Sequence, residues 1–399
     1  MLSLPQLGFL FLSLNSETSL QKKYKALCGK STNTMKIAVI GDTHLGYPRF
    51  YTDSFTQAEA AFGDADQKAD LILFLGDLYD SRVPSLQVLG EAISLFRKLN
   101  TPVYAIHGNH ERRSRGALNP VELLAKAGLL THLHMNSAVF EKNGEKIFLV
   151  GMGNVPDDLA PKALEKLKEK ITFPQELFSI LLIHQSFKEY VYGENLSSIH
   201  DLLPLDYSLY LNGHIHVQKE GLDGKFLIPG STVLTQLTKE ETKPKGYILY
   251  DTKTNTHEFV EIPSKKFIFE ELEFSGASPN EVAEKIRGRT AELRNGDENI
   301  IIKYRVQGTL AQGFKTSDLS LPIGKGTYID NRLNERHLKK EIEKLREMRQ
   351  NKVSIRELSE QRLRERLEGK VSLFDPSELF EHLLEGPEAA REYLKRKGN

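Results

Sequence analysis

Residues 36–44 read KIAVIGDTH. The run Lys36 to Gly41 is short, mainly apolar and of strand length, and Asp42-Thr43-His44 follows it at once. The same order recurs along the chain. Residues 71–75 (LILFL) lead into Gly76-Asp77, and residues 102–106 (PVYAI) lead into Gly108-Asn109-His110. Residues 179–183 run into His184, and 207–211 run into Gly213-His214-Ile215-His216. Residues 146–151 form one more apolar run. Each reads as a buried strand bounded by turn or polar residues.

Helix-like stretches alternate with these strands at 52–69, 85–99 and 162–171. Leu86, Leu89, Ile93 and Phe96 recur at spacings of three and four, which is one helical face. Strand, helix, strand in series predicts βαβ units and an α/β fold. In such sheets ligands bind outside the carboxyl ends of the strands. Five strands therefore bring oxygen or imidazole donors to one edge, and glycines beside three of these groups allow tight turns.

Any one of these groups is ordinary alone. Asp42 or Asp77 can cap a helix, Asn109 fits a left-handed turn, and His214 and His216 fit alternation along a strand. Their joint recurrence at strand ends points to a metal site. Two carboxylates, an amide and four or five imidazoles exceed what one ion needs. Oxygen and nitrogen donors suit Mn²⁺, Fe²⁺, Zn²⁺ or a mixed pair. Asp77, with two oxygens, is the natural bridge. Two ions about 3.5–4 Å apart suit phosphoester hydrolysis.

Composition narrows the classes. In 399 residues, 54 Lys and Arg balance 54 Asp and Glu, which excludes a strongly basic nucleic-acid coat while leaving local patches open. The single cysteine, Cys28, excludes an internal disulfide, a cysteine-rich zinc site and an iron–sulfur cluster. No apolar run reaches the ~20 residues of a membrane-spanning helix. Residues 2–14 are apolar, but no Lys or Arg precedes them and no cleavage site follows, so 1–34 reads as a poorly ordered, dispensable extension.

The texture changes from about 246. Strands are expected at 246–251, 256–262, 266–273 and 299–307, with a helix near 279–294. From about 333 the chain is helical and densely charged. Asp375-Pro376-Ser377-Glu378 starts a helix and Gly386-Pro387 stops one.

The strand-end groups resemble the calcineurin-like metallophosphoesterases over 36–216: GD-x-H, GD, GNHE, a lone His and GH-x-H. GDTHLG, GDLYD, GNHE, HQS, GHIH and Pro229-Gly230-Ser231 narrow the resemblance to archaeal nucleases of the meiotic recombination 11 family, related to bacterial SbcD, over about 35–399. The resemblance implies a sandwich of sheets flanked by helices, a small α+β capping domain and a C-terminal helix–loop–helix. The implied domains are a nuclease at 35–245, a DNA-binding cap at 246–330, and partner-binding helices at 331–399.

The resemblance places metal 1 on Asp42, His44, Asp77 and His216, and metal 2 on Asp77, Asn109, His184 and His214. His110 would not bind metal; it would stabilise the transition state or protonate the leaving 3′-oxygen. The implied activity is Mn²⁺-dependent 3′→5′ exonuclease on duplex DNA and endonuclease on single strands, with Mg²⁺, Fe²⁺ or Zn²⁺ as other occupants. One departure stands out: the third residue after the bridging Asp is often His in related archaeal nucleases, and here it is Asp80. An anion there would repel phosphate unless paired, with Arg82 for example, or protonated. That affects the balance of exonuclease against endonuclease. Glu111, where Asp is common, is conservative.

Arg112, Arg113 and Arg115 follow the GNH turn and are candidate DNA contacts. Lys265, Lys266, Lys285, Arg287, Arg289, Arg294, Lys303 and Arg305 of the cap are either DNA contacts or an ordinary charged surface. By resemblance the C-terminal helices bind a Rad-fifty-type ABC ATPase through Leu373, Phe374, Leu379, Phe380, Leu383 and Leu384; the other reading folds them onto the body. The family also dimerises through helices here at roughly 85–99 and 119–128, with Leu86, Leu89, Leu123 and Leu124 exposed for a four-helix contact; the other reading packs these leucines into the core. His107 reads as buried scaffold, and His132, His134, His200, His257, His337 and His382 as structural or surface residues. The implied setting is cytoplasmic, at the nucleoid, without a membrane. Two other functions fit less of the pattern: a phosphatase or phosphodiesterase on small molecules or phosphoproteins, and a non-catalytic repair scaffold.

Overall fold

The computed structural model describes residues 35–113, 116–172, 174, 176–194, 196–322, 324–334, 363 and 375–397. The expectations for 1–34 and for most of 335–374 lie outside the described residues.

Two six-stranded sheets build the first compact unit, which runs to Phe269 and includes Asn299–Ile301. In the first, β1 (Lys36–Ile40), β2 (Leu71–Phe74), β3 (Val103–Ala105) and β4 (Thr131–His132) are parallel neighbours. In the second, β6 (Glu145–Met152), β7 (Phe178–Ile183), β8 (Leu209–Asn212) and β10 (Phe226–Ile228) are parallel. Antiparallel strands β5 (Asn136–Lys142) and β9 (Lys219–Gly221) close its two edges.

Alternation along the strands fixes the layers. Ile37 and Val39 of β1 join Leu71, Leu73, Leu149, Leu182 and Leu211 in the core between the two sheets. Ala38 and Ile40, one residue out of phase, face the helices instead. There they meet Ala58, Ala61 and Phe62 of α1 (Tyr51–Lys68), Val88 and Phe96 of α2 (Leu86–Arg97), and Val121 of α3 (Pro120–Lys126). The outer face of the second sheet packs Val150 and Leu181 against Leu164 and Leu167 of α4 (Ala160–Lys170). Each fully buried aliphatic or Phe side chain contributes about 1.5–3 kcal/mol. The parallel strands deliver their carboxyl ends to one edge, where the functional loops begin.

The expected start of a second domain at 246 is corrected. Strand β11 (Gly246–Asp251) pairs antiparallel with β1, Ile37 opposite Tyr250, and β12 (Thr256–Glu261) pairs with β11. Residues 246–261 thus complete the first sheet. The second unit takes in Glu270–Glu298 and the chain from Ile302. Its sheet has the order β13 (Phe267–Ala277), β14 (Ile301–Leu310), β15 (Thr327–Leu333). Helix α5 (Pro279–Arg294) starts with a capping box: Ser278 Oγ accepts from Glu281 N, and Glu281 Oε2 accepts from Ser278 N at 2.7 Å. Strands β4, β5, β9, β10 and β15 are not among those expected from the sequence.

Residues 376–385 (α6) and 387–397 (α7) are helices, Asp375 capping the first through Ser377 N at 2.7 Å and Gly386 breaking the chain between them. No helix among the described residues is long and apolar enough to cross a membrane.

Candidate metal centre

Each expected ligand sits on the loop after a strand, as the α/β rule requires. Asp42 and His44 follow β1, Asp77 follows β2, Asn109 and His110 follow β3, His184 follows β7, and His214 and His216 follow β8. One ligand atom each of Asp42, His44, Asp77 and His216 lies within 4.8 Å of the others. Asp77, His184 and His214 form a second such group. Asp77 belongs to both, where a bridge must be.

The loops hold these side chains at a cost in backbone strain. Asp42, His44, Asp77 and His214 all have positive φ, between 45° and 75°. Gly108 allows the closest approach: a Cβ there would stand 2.0 Å from Asp77 Oδ1. Glu111, fully buried, ties the loops together. Its carboxylate accepts from Asp77 N at 3.0 Å, Tyr79 N at 2.8 Å and Gly108 N at 2.7 Å.

Ring tautomers follow from the neighbours. His184 Nδ1 donates to the Leu75 carbonyl at 2.6 Å, leaving Nε2 toward Asp77 Oδ2 at 3.3 Å and Asn109 Oδ1 at 3.1 Å. His214 Nδ1 lies 2.9 Å from Asn109 Oδ1. His44 Nε2 and His216 Nε2 face one another at 3.1 Å, with Asp42 Oδ1 3.9 Å from the latter. The other Asp42 oxygen, Oδ2, is buried without a hydrogen-bond partner. Facing imidazole nitrogens and an unpartnered buried carboxylate oxygen fit a cation among them.

Electrostatics agree. Burial pushes the Asp42 carboxyl well up, and the nearby Asp77 and Glu111 carboxylates add to this. Burial opposes ionisation of Asp77 too, but His184, with His44 and His110, holds its carboxyl well below the usual range. Burial works against the His184 imidazolium, yet the Asp77 charge lifts that histidine to about 9. Burial pushes His214 down to about 4 and His216 well down, which keeps both neutral, the form that donates to metal. Glu111 is pushed up to about 7 by burial and by Asp77, while its three N–H donors favour the carboxylate.

Three expectations change. Asp80 does not pair with Arg82; its Oδ1 lies 3.5 Å from His44 Nδ1 and 4.0 Å from His110 Nδ1, and its backbone carbonyl takes the His110 Nδ1 proton. It orients His110 through that carbonyl, with its carboxylate close to His44. Arg112 Nη1 donates to Asn154 Oδ1 at 2.7 Å, and Asn154 Nδ2 donates to the His184 carbonyl at 2.9 Å, so Arg112 braces the scaffold. Arg113 is half-buried, and Arg115 lies outside the described residues. In the second unit, Arg289 pairs with Glu270 and Glu292, Arg294 with Glu298, and Arg305 with Glu271 and Asp330. Carboxylates thus already engage much of that basic surface.

Other expectations sort by burial. Leu86 is 87% exposed and Leu123 37%, Leu89 packs partly on the core, and Leu124 is buried in it and cannot join an interface. Leu379 is buried with Ala390 and Tyr393 between α6 and α7, which removes it from a partner surface. Phe380 is half-buried, Leu383 and Leu384 are exposed, and Leu373 and Phe374 lie outside the described residues. His107 is buried, 3.1 Å from His132 and with His134 beside it.

Sequence reasoning passed over Glu111 as a conservative replacement and missed Asn154, Thr235, Glu241 and Lys245. Only Glu111 had a local signal, its place directly after GNH.

Residues 35–218 match the calcineurin-like phosphoesterase family. The matched stretch contains all the strand-end ligands, from Asp42 to His216. The chain is also similar to Mre11 proteins. It is 31% identical over 278 residues to the DNA double-strand break repair protein Mre11 of Archaeoglobus fulgidus, covering 60% of this chain and 62% of that one. The Mre11 of Methanocaldococcus jannaschii is 29% identical over 253 residues, covering 55% and 63%. The double-strand break repair protein MRE11 of Encephalitozoon cuniculi is 28% identical over 277 residues, covering 58% and 48%. The chain therefore spans about half to two thirds of the length of these relatives.

Proposed function

We propose that this chain is a two-metal DNA nuclease that processes DNA ends in double-strand-break repair. The carrying observation is the single buried point where Asp42, His44, Asp77 and His216 meet Asp77, His184 and His214. The relatives' names, all double-strand-break repair proteins, support DNA as the substrate over a small phosphoester. Two Mn²⁺ ions, when bound, supply charge neutralisation on the phosphate and activation of water.

The chain's own residues do the rest. Asp77 joins the two ligand groups, Asn109 links His184 to His214 within the second, and Glu111 fixes the loops that carry them. His110 N donates to Asp77 Oδ1 at 2.9 Å, and its Nδ1 proton goes to the Asp80 carbonyl. Its Nε2 is left to hold a proton toward a leaving 3′-oxygen. Activity would be 3′→5′ exonuclease on duplex DNA and endonuclease on single strands. Exposed Leu383 and Leu384 support docking of the terminal helices on a Rad-fifty-type ABC ATPase. Exposed Leu86 and Leu123 support a homodimer.

The test is cleavage of end-labelled duplex and of circular single-stranded DNA with Mn²⁺, Mg²⁺ or EDTA, with Asp77→Asn run alongside. Mn²⁺-dependent cleavage lost in Asp77→Asn is the expected result. No DNA cleavage, with hydrolysis of a nitrophenyl phosphodiester, would overturn the reading in favour of a small-molecule phosphodiesterase.

A further inference from the structure

The loop after β10 runs from Pro229-Gly230-Ser231 toward β11 and carries a buried charge pair. Lys245 Nζ donates to Glu241 Oε1 at 3.0 Å, and both side chains are at most 5% exposed. A buried ion pair stabilises little by itself, because desolvation offsets the attraction. This one is also saturated. Glu241 accepts from Thr235 N at 3.0 Å, Thr235 Oγ1 at 3.0 Å and Gln236 N at 2.8 Å. Lys245 also donates to Ser231 Oγ at 2.9 Å and to the His216 carbonyl at 3.2 Å.

Thr235 connects the pair to the metal centre. Its Oγ1 lies 2.6 Å from His216 Nδ1. A threonine hydroxyl has one proton. The Glu241 carboxylate takes it, so the oxygen must accept from His216, and Nδ1 must carry the ring proton. The Nε2 lone pair is then bare and aimed at His44 Nε2 and Asp42. Tyr47 Oη donates to the Thr235 carbonyl at 2.7 Å and so joins this loop to the one carrying His44.

We infer that Thr235, Glu241 and Lys245 are positioning residues that fix the tautomer and orientation of His216, so that Nε2 is ready to ligate a divalent metal. This rests on the two-metal reading for the identity of the ligand. The relay itself, Lys245 to Glu241 to Thr235 to His216, belongs to the metal-free protein. Partners of ligating histidines matter for about 10–100-fold in metal affinity.

Two measurements on the full chain test it. The first is Mn²⁺ titration by calorimetry for wild type, Thr235→Val and Thr235→Ser. Valine keeps the shape and removes the hydroxyl; serine restores it. Thr235→Val should lose about 10–100-fold affinity for one of two Mn²⁺ ions, with Thr235→Ser near wild type. Wild-type affinity at both sites in Thr235→Val would overturn the inference. The second reads the ring ¹⁵N shifts of His216 in chelated protein. Protonated Nδ1 with bare Nε2 in the wild type, lost in Thr235→Val, is expected; protonated Nε2 in the wild type would overturn it. Because this arm needs no metal, it still decides the inference if the wild type binds no Mn²⁺, a result that would sink only the two-metal reading. A Glu241→Gln change strands the Lys245 charge and risks the fold, so Glu241→Gln/Lys245→Met is used to break the pair. It should weaken the same Mn²⁺ site while keeping the circular dichroism spectrum; unchanged affinity would remove Glu241 and Lys245 from the relay.

Discussion

Glu111 accepts a hydrogen bond from the backbone N–H of Asp77 at 3.0 Å, and through that bond a residue of the β3 loop fixes the candidate bridging ligand at the end of β2. Asp77 has φ 53°, a conformation that an aspartate holds only when its surroundings demand it. The same carboxylate takes Tyr79 N and Gly108 N, so three amides on two loops depend on one side chain.

Glu111→Gln should therefore cost more than a surface change. The amide nitrogen turns one acceptor into a donor that faces another N–H. Leaving buried amides unsatisfied costs about 1–3 kcal/mol. Thermal unfolding should register this loss, and Mn²⁺ affinity should fall with it. An unchanged melting temperature would show that the three hydrogen bonds do not hold the loops.

Gly108→Ala is the sharper steric test. The new Cβ would stand 2.0 Å from Asp77 Oδ1 and 2.4 Å from Asp77 N, so the carboxylate or the loop must move. Gly90→Ala on α2 meets nothing within 4 Å and serves as the control. Gly108→Ala should lose Mn²⁺ binding at both sites, whereas Gly90→Ala should keep it and gain up to about 1 kcal/mol of stability. Calorimetric titration and thermal melts separate the two outcomes.

The ligand loops were legible in the sequence because each is local: an apolar run, a turn, and a donor within three residues. What escaped is long-range. Strand β11 lies beside β1 although Lys36 and Asp251 are 215 positions apart, and its apolar texture would suit an appended domain equally well. Thr235, Glu241 and Lys245 look like solvated loop residues in TQLTKEETKPK, and only the return of the chain past His216 buries them. Asp80 read as an anion facing substrate because its neighbours His44 and His110 come from other loops. The terminal hairpin was legible from Asp375-Pro376 and Gly386-Pro387, but Leu379 turned inward toward Tyr393, a pairing no spacing rule specifies.

His184 gives the pH dependence. In the metal-free protein its imidazolium is held to about 9 by Asp77, against burial, above the ordinary value near 6.5. Its contribution to stability is therefore fully present below about pH 6.5 and is lost as pH rises through about 9. Melts of chelated protein should show that loss, and His184→Asn should flatten it. Metal binding runs the other way, because the ion must displace the proton. Mn²⁺ affinity should rise by about tenfold per pH unit between 7 and 9 for one released proton. A flat profile in both experiments would show that His184 is neutral without metal.

His110 separates chemistry from metal binding. Its ring stands edge-on to His44 with centroids 4.9 Å apart, yet it belongs to neither group that shares Asp77. Its Nδ1 is occupied by the Asp80 carbonyl, and a third of its side chain is exposed, so Nε2 is the atom that can reach a substrate. His110→Ser removes that nitrogen while keeping the backbone N–H that serves Asp77 Oδ1. Two Mn²⁺ ions should still bind with near wild-type affinity, and DNA cleavage should fall by about 10²–10⁴-fold, the usual worth of a positioned proton donor. Calorimetry and a gel assay on the same preparation read both quantities. Loss of a Mn²⁺ ion in His110→Ser would make this histidine a ligand, and full cleavage would move the proton transfer to another group.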